Sequence, residues 1–407
     1  MTEPRAVTFL DGDPGVDAPP ADDASTPLVI DDADRYGRLR LIPWWRQEKL
    51  AAARVLVVGA GALGNEAIKN LALLGVGTIL VIDLDAVEPS NLSRSVLFRA
   101  RDAGRGKAEV AAERAGEINP EVRIAAIRGD VIHDLGLGVF RDADVVIGCL
   151  DNREARLWVN RQCWKAGTPW VDAGIQEIQG VVKVFTPPDS ACYECAMTER
   201  DYQLLNLRYS CPMLRREEIL EGKVPTAPTI ASMMAALEVQ EALKLIHGMP
   251  VDAGSALVFN GVTNQFYRTK LPFRDDCLSH ESYPDPTPLP IGHGSTAGAL
   301  FEQARGSMEG PLSLALDRDL VTTIDCPRCG WDVEVYRPRA SVRLSEATCP
   351  NCRQAGHAET LSRVEEGSEQ AGRTLAQLGV PAYDIVRVEG PEGTGFFLLA
   401  GDRSPLA

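Results

Sequence analysis

Three features are missing from this 407-residue sequence, and each absence excludes a class of protein. No apolar run reaches the roughly 18 residues that a membrane-spanning helix requires, so we expect no membrane partner. The chain has no long stripe of lysine and arginine and carries a formal net charge of −15, so we expect no nucleic-acid partner, because phosphate binding requires a basic face. The N-terminus is acidic and proline-rich and lacks the basic and then apolar stretches of a secretory signal, which makes the cytoplasm the expected location.

Composition and local breaks indicate how the chain is divided. A hydrophobic content of 45% and a charged content of 24% are typical of a globular protein. Residues 1–30 are rich in Asp, Pro and Ala, which predicts a disordered tail. Dense proline and glycine after residue 281 predict a linker over residues 282–308. We therefore expect a main domain over residues 31–281 and a small β-rich module over residues 309–407.

Alternating strand and helix patterns predict an α/β fold for the main domain. Val55–Val58 is apolar and β-branched, and a glycine-rich turn connects it to a segment with helical spacing. Further apolar strands are predicted at residues 78–82, 124–127 and 145–147. Alternation of this kind produces a doubly wound, Rossmann-like sheet that is mostly parallel and has helices on both faces.

The turn after the first strand indicates a nucleotide site. It reads Gly59-Ala60-Gly61-Ala62-Leu63-Gly64, and such glycines let backbone amides approach a phosphate at the positive end of a helix. Asp83 ends the second strand, where a carboxylate binds a ribose hydroxyl. On the glycine pattern alone, a dehydrogenase that binds NAD or FAD is the alternative interpretation.

A set of polar residues further along the chain favours ATP. The members expected to contact the nucleotide or its metal ion are Asp83, Asp85, Asn91, Arg94, Lys107, Asp151 and Asn152. A dehydrogenase has no use for this set, whereas an adenylation site does. Asn91, Arg94 and Lys107 could bind triphosphate oxygens, and Asp151 could hold the Mg²⁺ that neutralises charge as pyrophosphate leaves.

Six of the ten cysteines form three C-x-x-C pairs, which favours metal ligation over disulfides in a reducing compartment. Two pairs are separated by a strand-forming stretch, which is the arrangement of a self-contained zinc ribbon. These are Cys326, Cys329, Cys349 and Cys352. Cys192 and Cys195 supply half of a second tetrahedral Zn²⁺ site. Spacing alone also allows them to pair with one half of the ribbon, although this would leave two cysteines without partners.

Together these motifs resemble the adenylyltransferase superfamily that includes the ubiquitin-activating enzymes and the bacterial activators of molybdopterin-synthase and thiamine-pathway sulfur carriers. The resemblance covers roughly residues 34–280. It is carried by Arg35-Tyr36-Gly37-Arg38, the glycine loop, the Asp83–Arg94 stretch, Gly106-Lys107 and Asp151-Asn152-Arg153. Leu39 and Ala62 depart from the pattern, because members of this superfamily usually have glutamine and glycine at these two positions. The resemblance implies ATP-dependent adenylation of the C-terminal carboxylate of a ubiquitin-like or sulfur-carrier protein that has an exposed C-terminal glycine.

The resemblance also implies roles for single residues. It implies a homodimer in which Arg38 reaches the ATP of the partner subunit. It makes Cys277 and His280 the second half of the zinc site that Cys192 and Cys195 begin. Cys211 lies where ubiquitin-like activators place a thioester-forming cysteine, and a conjugating enzyme would then be a further partner. The alternative is that this cysteine has no role.

Two other functions remain open from the sequence. The first is activation of a sulfur carrier for cofactor biosynthesis, without a conjugation step. The second is a non-catalytic scaffold that binds a ubiquitin-like protein, although Arg94, Lys107 and Asp151 count against it. The C-terminal region has no rhodanese-like active-site loop, which favours conjugation or an external sulfurtransferase.

Overall fold

The computed structural model describes residues 33–206 and 225–407, which fall into two units. The first unit ends at Trp45, and its described residues form a short 3-10 turn over Leu39–Leu41 that follows Arg38. Arg40 binds Asp34 in this unit, with 2.8 Å between Nε and Oδ2. The second unit, Arg46–Ala407, contains two β-sheets and the helices around them.

Helices and strands alternate in the first half of the second unit, and strands dominate its second half. The helices are α1 (Gln47–Ala52), α2 (Ala62–Leu74), α3 (Lys107–Ile118), α4 (Leu137–Asp142), α5 (Arg153–Ala166), α6 (Glu199–Asn206), α7 (Pro228–His247) and α8 (Ala297–Ala304). The strands of the first sheet are β1 (Arg54–Val58), β2 (Thr78–Asp83), β3 (Arg123–Arg128), β4 (Val145–Gly148), β5 (Trp170–Gln176), β6 (Gln179–Phe185), β7 (Ser255–Asn260) and β8 (Gln265–Lys270). Those of the second sheet are β9 (Thr287–Leu289), β10 (Ser313–Asp325), β11 (Asp332–Pro338), β12 (His357–Glu365), β13 (Ile385–Gly390) and β14 (Gly393–Leu399). No helix in the described parts of the chain is long and apolar enough to cross a membrane.

The first sheet has the strand order β3-β2-β1-β4-β5-β6-β7-β8. In this order, neighbouring strands from β3 through β2, β1 and β4 to β5 are parallel, and neighbouring strands from β5 to β8 are antiparallel. Strands β1, β2 and β4 are buried on both faces, which explains why Val55–Val58 is continuously apolar. Strands β2 and β3 follow on one side of β1, whereas β4 and β5 follow on its other side. At such a switch in strand order, a crevice opens at the carboxyl ends of β1 and β4. The predicted doubly wound α/β fold is confirmed.

Short-range signals end the helices that flank this crevice. Helix α2 begins after Gly61 and ends at Gly75, which takes the left-handed conformation with φ of 72°. Helix α5 begins after Asn152, whose side chain accepts the Ala155 N–H at 2.8 Å, and it ends at the left-handed Gly167. The crevice is therefore bordered by two helix N-termini.

The second sheet has the order β11-β10-β13-β14-β9, and β12 pairs with β10. Strand β9 and helix α8 lie within residues 282–308, where the proline and glycine content predicts an irregular linker. Proline is compatible with β9 because this strand is at the edge of the sheet, where a missing N–H costs little. The Thr296 side chain caps α8 by accepting the Ala299 N–H at 3.1 Å.

The second sheet packs against the first through a shared core. Ile385 and Leu406 are buried in the same apolar cluster as Phe140 and Trp164. A separate apolar cluster lies inside the second sheet and includes Phe301 and four other large side chains, Leu314, Leu320, Leu375 and Val388. The C-terminal region is thus joined to the main domain on the side of α4 and α5.

Candidate nucleotide site and metal centres

The glycine loop at the end of β1 is fixed by contacts that exclude a side chain. Gly59 has φ of 98°, and a Cβ atom there would lie 2.4 Å from the Cys149 carbonyl oxygen. A Cβ atom on Gly64 would lie 2.0 Å from the Gly59 carbonyl oxygen. A Cβ atom on Gly61, in contrast, would have no atom of the described residues within 4 Å. The loop therefore packs tightly on one side and leaves room for a phosphate at the N-terminus of α2.

Asn65 holds this loop in place, and the sequence analysis missed it. Its Nδ2 donates to the carbonyl oxygens of Ala60 and Gly61 at 2.7 and 3.0 Å. Its Oδ1 accepts the Leu97 N–H at 2.9 Å. The side chain is fully buried. A polar residue on the apolar face of a helix is the signal that would have identified it.

Asp83 lies beside the loop at the end of β2. Its Oδ2 accepts the Ala60 N–H at 2.7 Å, and its Oδ1 accepts the Asp85 N–H at 2.8 Å. Burial raises the pKa of Asp83, although the Ala60 N–H and the charge of Lys107 act in the opposite direction. The carboxyl group keeps further lone pairs with which it could accept a ribose hydroxyl.

The expected phosphate-binding residues lie on two connected segments. Lys107 begins α3, and its Nζ lies 2.7 Å from Asp85 Oδ2. Asn91 Oδ1 accepts the Glu88 N–H at 2.9 Å, and Arg94 Nη1 donates to the Ser90 carbonyl oxygen at 2.8 Å. The structure thus brings Lys107 and Asp85 together, and it fixes the turn on which Asn91 and Arg94 lie.

Asp151 and Asn152 follow β4 on the other side of the crevice. Asp151 is exposed, so a solvated Mg²⁺ ion could reach it, whereas the side-chain Oδ1 of Asn152 is used as the cap of α5. Behind them, Arg156 Nε donates to Asp172 Oδ1 at 2.8 Å, and Arg156 Nη2 donates to the Leu150 carbonyl oxygen at 2.5 Å. This buried ion pair was also missed, because its partners are 16 residues apart and match no motif.

The first candidate metal centre joins two distant parts of the chain. The ligand atoms of Cys192, Cys195, Cys277 and His280 all lie within 4.8 Å of one another. The Sγ atoms of Cys192 and Cys277 are 3.6 Å apart, close to the edge of about 3.8 Å in a tetrahedron with Zn–S bonds of about 2.3 Å. The Cys195 N–H donates to Cys192 Sγ at 3.4 Å. Three thiols and an imidazole at these distances suit Zn²⁺.

Glu194 anchors this centre to the helices around it. It is fully buried between Cys192 and Cys195 in the sequence. It accepts hydrogen bonds from Arg161 of α5 at 2.8 Å, from Tyr202 of α6 at 2.9 Å and from Ser279. The His280 ring stacks on Trp164, with 5.4 Å between centroids. Such outer contacts orient metal ligands.

The second candidate centre lies at the tip of β10, β11 and β12. The sulfur atoms of Cys326, Cys329, Cys349 and Cys352 lie within 4.8 Å of one another. Each C-x-x-C turn is followed by a left-handed residue, Gly330 with φ of 69° and Arg353 with φ of 61°. Backbone N–H groups, first that of Arg328, lower the pKa of Cys326 to about 6. Against the effect of the Gln354 N–H, burial and the neighbouring thiols raise the pKa of Cys352 to about 11. Two knuckles joined by strands form a zinc-ribbon arrangement.

Two expected residues are not part of this geometry. Cys211 lies outside the residues that the structure describes, which resume at residue 225. Arg38 belongs to the first unit, on the turn that precedes Arg46. Their expected roles as thioester nucleophile and arginine finger stay predictions.

Known proteins share most of this architecture. The ThiF family model matches residues 34–279. The chain is 32% identical over 221 residues to the sulfur carrier protein ThiS adenylyltransferase of Escherichia coli K12, an alignment that covers 54% of this chain and 82% of that protein. It is 40% identical over 149 residues to SUMO-activating enzyme subunit 2 of Dictyostelium discoideum, covering 36% of this chain and 22% of that protein. The crystal structure of E. coli MccB with ATP has a TM-score of 0.51 and 25% identity, covering 62% of this chain and 75% of that one.

Proposed function

The chain belongs to the ThiF family of adenylyltransferases, and from this premise we propose that it adenylates the C-terminal carboxylate of a small ubiquitin-like or sulfur-carrier protein. The observation that carries the proposal is the intact glycine loop at the switch point of the sheet, with Asp83 on one side and Asp151 on the other. Two relatives support the class of substrate, because their names refer to the sulfur carrier ThiS and to SUMO.

The residues of the crevice have separate tasks in this reaction. Backbone N–H groups at the start of α2 bind phosphate oxygens, and Asn91, Arg94 and Lys107 bind the rest of the triphosphate. Asp151 would hold Mg²⁺, which supplies charge neutralisation when it is bound with ATP. A carboxylate oxygen of the carrier attacks the α-phosphorus, the bond to the β-phosphate oxygen breaks, and pyrophosphate leaves. Arg38 would add its charge from the partner subunit of a homodimer.

The next step separates two versions of the function. In the first, the Cys211 thiolate attacks the acyl carbon of the adenylate, a thioester forms and AMP leaves. A conjugating enzyme would then accept the acyl group. In the second, sulfide-level sulfur from a donor attacks the same acyl carbon in place of Cys211, AMP leaves and the carrier ends in a thiocarboxylate. The match to most of the ThiS adenylyltransferase chain favours the second version.

Both cysteine groups are proposed to hold Zn²⁺ in a structural role. Each offers four protein ligands, so no coordination position is left for substrate. The first centre connects the loop after β6 to the segment that leads into the second sheet. The second closes the tip of the ribbon. Neither ion takes part in adenylation.

The test is ATP–pyrophosphate exchange with purified ThiS and purified SUMO as acceptors. We expect exchange that depends on one of the two carriers and on Mg²⁺, and we expect Lys107→Ala to reduce it at least tenfold. Lys244→Ala is the matched control, because Lys244 lies on α7 and binds Glu241 at 2.7 Å. The absence of carrier-dependent exchange with both proteins would overturn the proposal and favour the scaffold alternative.

A non-reducing gel separates the two versions of the next step. Wild-type protein and Cys211→Ala are incubated with Mg-ATP and the active carrier. A thiol-sensitive adduct that the variant lacks would establish the thioester. Exchange without any adduct would exclude a role for Cys211 and support the sulfur-carrier version.

A further inference from the structure

One guanidinium group connects three acceptors at the edge of the crevice. Arg156 lies near the start of α5, and its Nε donates to Asp172 Oδ1 at 2.8 Å. Its Nη2 donates to the carbonyl oxygen of Leu150 at 2.5 Å and to that of Ala173 at 3.0 Å. The Arg156 side chain is 15% exposed and that of Asp172 is 1% exposed. A single side chain therefore joins the loop after β4 to strand β5.

The place of these bonds in the sheet explains why a side chain makes them. The last paired residue of β4 is Gly148, whose partner on β5 is Asp172. Strand β5 continues beyond this pair, whereas the chain leaves β4 there and enters the loop that leads to α5. The bonds from Arg156 to Leu150 and Ala173 connect loop and strand where the backbone ladder ends. Because the planar guanidinium holds its donors in a fixed geometry, it also sets the distance between them.

The bond to Leu150 acts directly on Asp151. The Leu150 carbonyl group and the Asp151 N–H belong to one planar peptide unit. Holding the carbonyl oxygen therefore restricts the orientation of that plane, and with it the direction in which the Asp151 side chain leaves the backbone. The next residue is also held, because the Asn152 side chain accepts the Ala155 N–H at 2.8 Å as the cap of α5. Asp151 is thus exposed but lies between two anchored neighbours.

Anchored neighbours matter for a carboxylate that binds a metal ion. Ordering a loop residue costs conformational entropy, and metal binding carries that cost unless the fold has already ordered the residue. Groups that orient a metal ligand without touching the ion typically contribute about 10- to 100-fold to metal affinity. Arg156 has the contacts of such a group, because it is bonded to the peptide that adjoins Asp151 and is itself held by Asp172.

We propose that Arg156 is a positioning residue for the Mg²⁺ that accompanies ATP: through the Leu150 carbonyl oxygen it fixes the orientation in which Asp151 presents its carboxylate. Asp172 supports this role by holding the guanidinium at Nε. Arg156 acts on the metal ion only through Asp151. The inference rests on the proposed function, in which Asp151 holds Mg²⁺.

The experiment measures how much Mg²⁺ improves nucleotide binding. The Kd of a non-hydrolysable ATP analogue is measured with saturating Mg²⁺ and with EDTA, and the ratio of the two values is the metal enhancement. Wild-type protein is expected to show an enhancement of about tenfold. Arg156→Lys keeps a positive charge beside Asp172 but lacks the planar fork, and it is expected to reduce the enhancement to about threefold or less. Its Kd in EDTA is expected to change less than about twofold, because the glycine loop and Lys107 are untouched.

A second variant and a matched control accompany this measurement. Arg156→Met removes all three hydrogen bonds and is expected to reduce the enhancement below about twofold. If this variant does not fold, Arg156→Lys decides the question, because it leaves Asp172 paired with a cation. The matched control is Arg161→Lys, since Arg161 also lies on α5 and binds a buried carboxylate, that of Glu194 at 2.8 Å, but it does so at the first metal centre. It is expected to keep the enhancement of the wild type.

A double variant tests whether the effect passes through Asp151. Asp151→Asn is itself expected to lose most of the metal enhancement. Adding Arg156→Lys to Asp151→Asn is expected to change the remaining enhancement less than about twofold, because two residues that act through one carboxylate are not additive. A further loss in the double variant would mean that Arg156 acts on the metal ion by another route, and the inference would fail.

The other outcomes are equally decisive. If Arg156→Lys weakens binding equally with Mg²⁺ and with EDTA, Arg156 only stabilises the crevice and the inference is wrong. If Arg156→Lys keeps the full enhancement, or if Arg161→Lys loses as much, the inference fails while the proposed function stands. If wild-type protein shows no enhancement, the inference fails, and carrier-dependent exchange decides the proposed function separately. If wild-type protein does not bind the analogue at all, both fail.

Discussion

At the scale of single residues, the glycine loop shows how the absence of a Cβ atom can determine the conformation of a site. Gly59 and Gly64 are positions where a Cβ atom would overlap backbone oxygen, whereas a Cβ atom on Gly61 would have no atom of the described residues within 4 Å. Backbone cannot move aside as a flexible side chain can, so Gly59 and Gly64 are required for folding of the loop. Gly61 is required only where a ligand approaches. This difference gives a matched pair of substitutions.

Gly64→Ala is expected to destabilise the protein by about 2–3 kcal/mol, because the new methyl group overlaps the Gly59 carbonyl oxygen. Gly61→Ala is expected to leave stability nearly unchanged, because the position is open and its φ is −74°. Chemical denaturation of both variants measures the difference. Equal stabilities would show that the loop relaxes easily and that its close packing is unimportant.

At the scale of elements, each of the two cysteine groups brings together segments that are separate in the sequence. The first connects the loop after β6 to the segment that follows β8, and the second joins the ends of β10, β11 and β12. In both, the thiol sulfurs come within 3.6 Å of each other in pairs. A Zn²⁺ ion in each group would hold these elements in addition to their hydrogen bonds.

Metal analysis of the purified protein is expected to find two Zn²⁺ ions per chain. Cys277→Ala and Cys349→Ala are each expected to lose one ion, because each removes a ligand from a different group. Cys163→Ala is the matched control, since Cys163 is fully buried on α5 and belongs to neither group. Two ions in every variant, or none in the wild type, would contradict the assignment.

At the scale of the whole second unit, the two sheets depend on a common core. Leu406 is fully buried among residues of the first sheet, and Arg123 Nη2 donates to its carbonyl oxygen at 3.2 Å. Arg318 stacks on Trp158 of α5, with 4.5 Å from its guanidinium carbon to the ring centroid. The C-terminal region therefore stabilises the main domain, whether or not its ribbon also binds a partner.

Leu406→Ala is expected to lower the free energy of unfolding by about 2–4 kcal/mol, as for other buried leucines. The loss is expected to appear in the unfolding of the main domain, monitored by the fluorescence of Trp164 or Trp170, both of which are fully buried there. Val262→Ala, at a side chain that is 75% exposed, is the control. A change confined to the second sheet would show that the two sheets unfold independently.

Asp384 is expected to make the packing of the two sheets depend on pH. Its Oδ1 accepts the Leu137 N–H at 2.6 Å, and its Oδ2 is 3.8 Å from Arg318 Nη1. Burial raises the pKa of Asp384 from 3.8 to about 6. The folded protein therefore binds this proton more tightly than the unfolded chain does, and the group stabilises the fold as the pH falls from about 6 towards 4.

The test compares wild type with Asp384→Asn in denaturation experiments between pH 4.5 and 7.5, a range chosen to bracket a pKa of about 6. The stability of the wild type relative to the variant is expected to rise as the pH falls through this range, because asparagine does not titrate. A constant difference would mean that Asp384 has an ordinary pKa in the folded protein.

The sequence by itself determined the features that depend on neighbouring residues. The strand, glycine turn and helix around Gly61 are local, so periodicity and composition were enough to predict the doubly wound sheet. The ribbon knuckles were also predictable, because each C-x-x-C turn closes within a few residues. A continuous apolar strand such as Val55–Val58 indicates burial on both faces without any knowledge of its partners.

Tertiary structure alone decided the features that join distant residues. Asn65 and Arg156 matter because of what the turn before Leu97 and strand β5 bring next to them, and no sequence pattern encodes those approaches. The helix and strand within residues 282–308 exist because the second sheet provides an edge and a core for them. Docking of Leu406 on the main domain likewise depends on burial shared between segments that are hundreds of residues apart, because apolar contact carries no local signature.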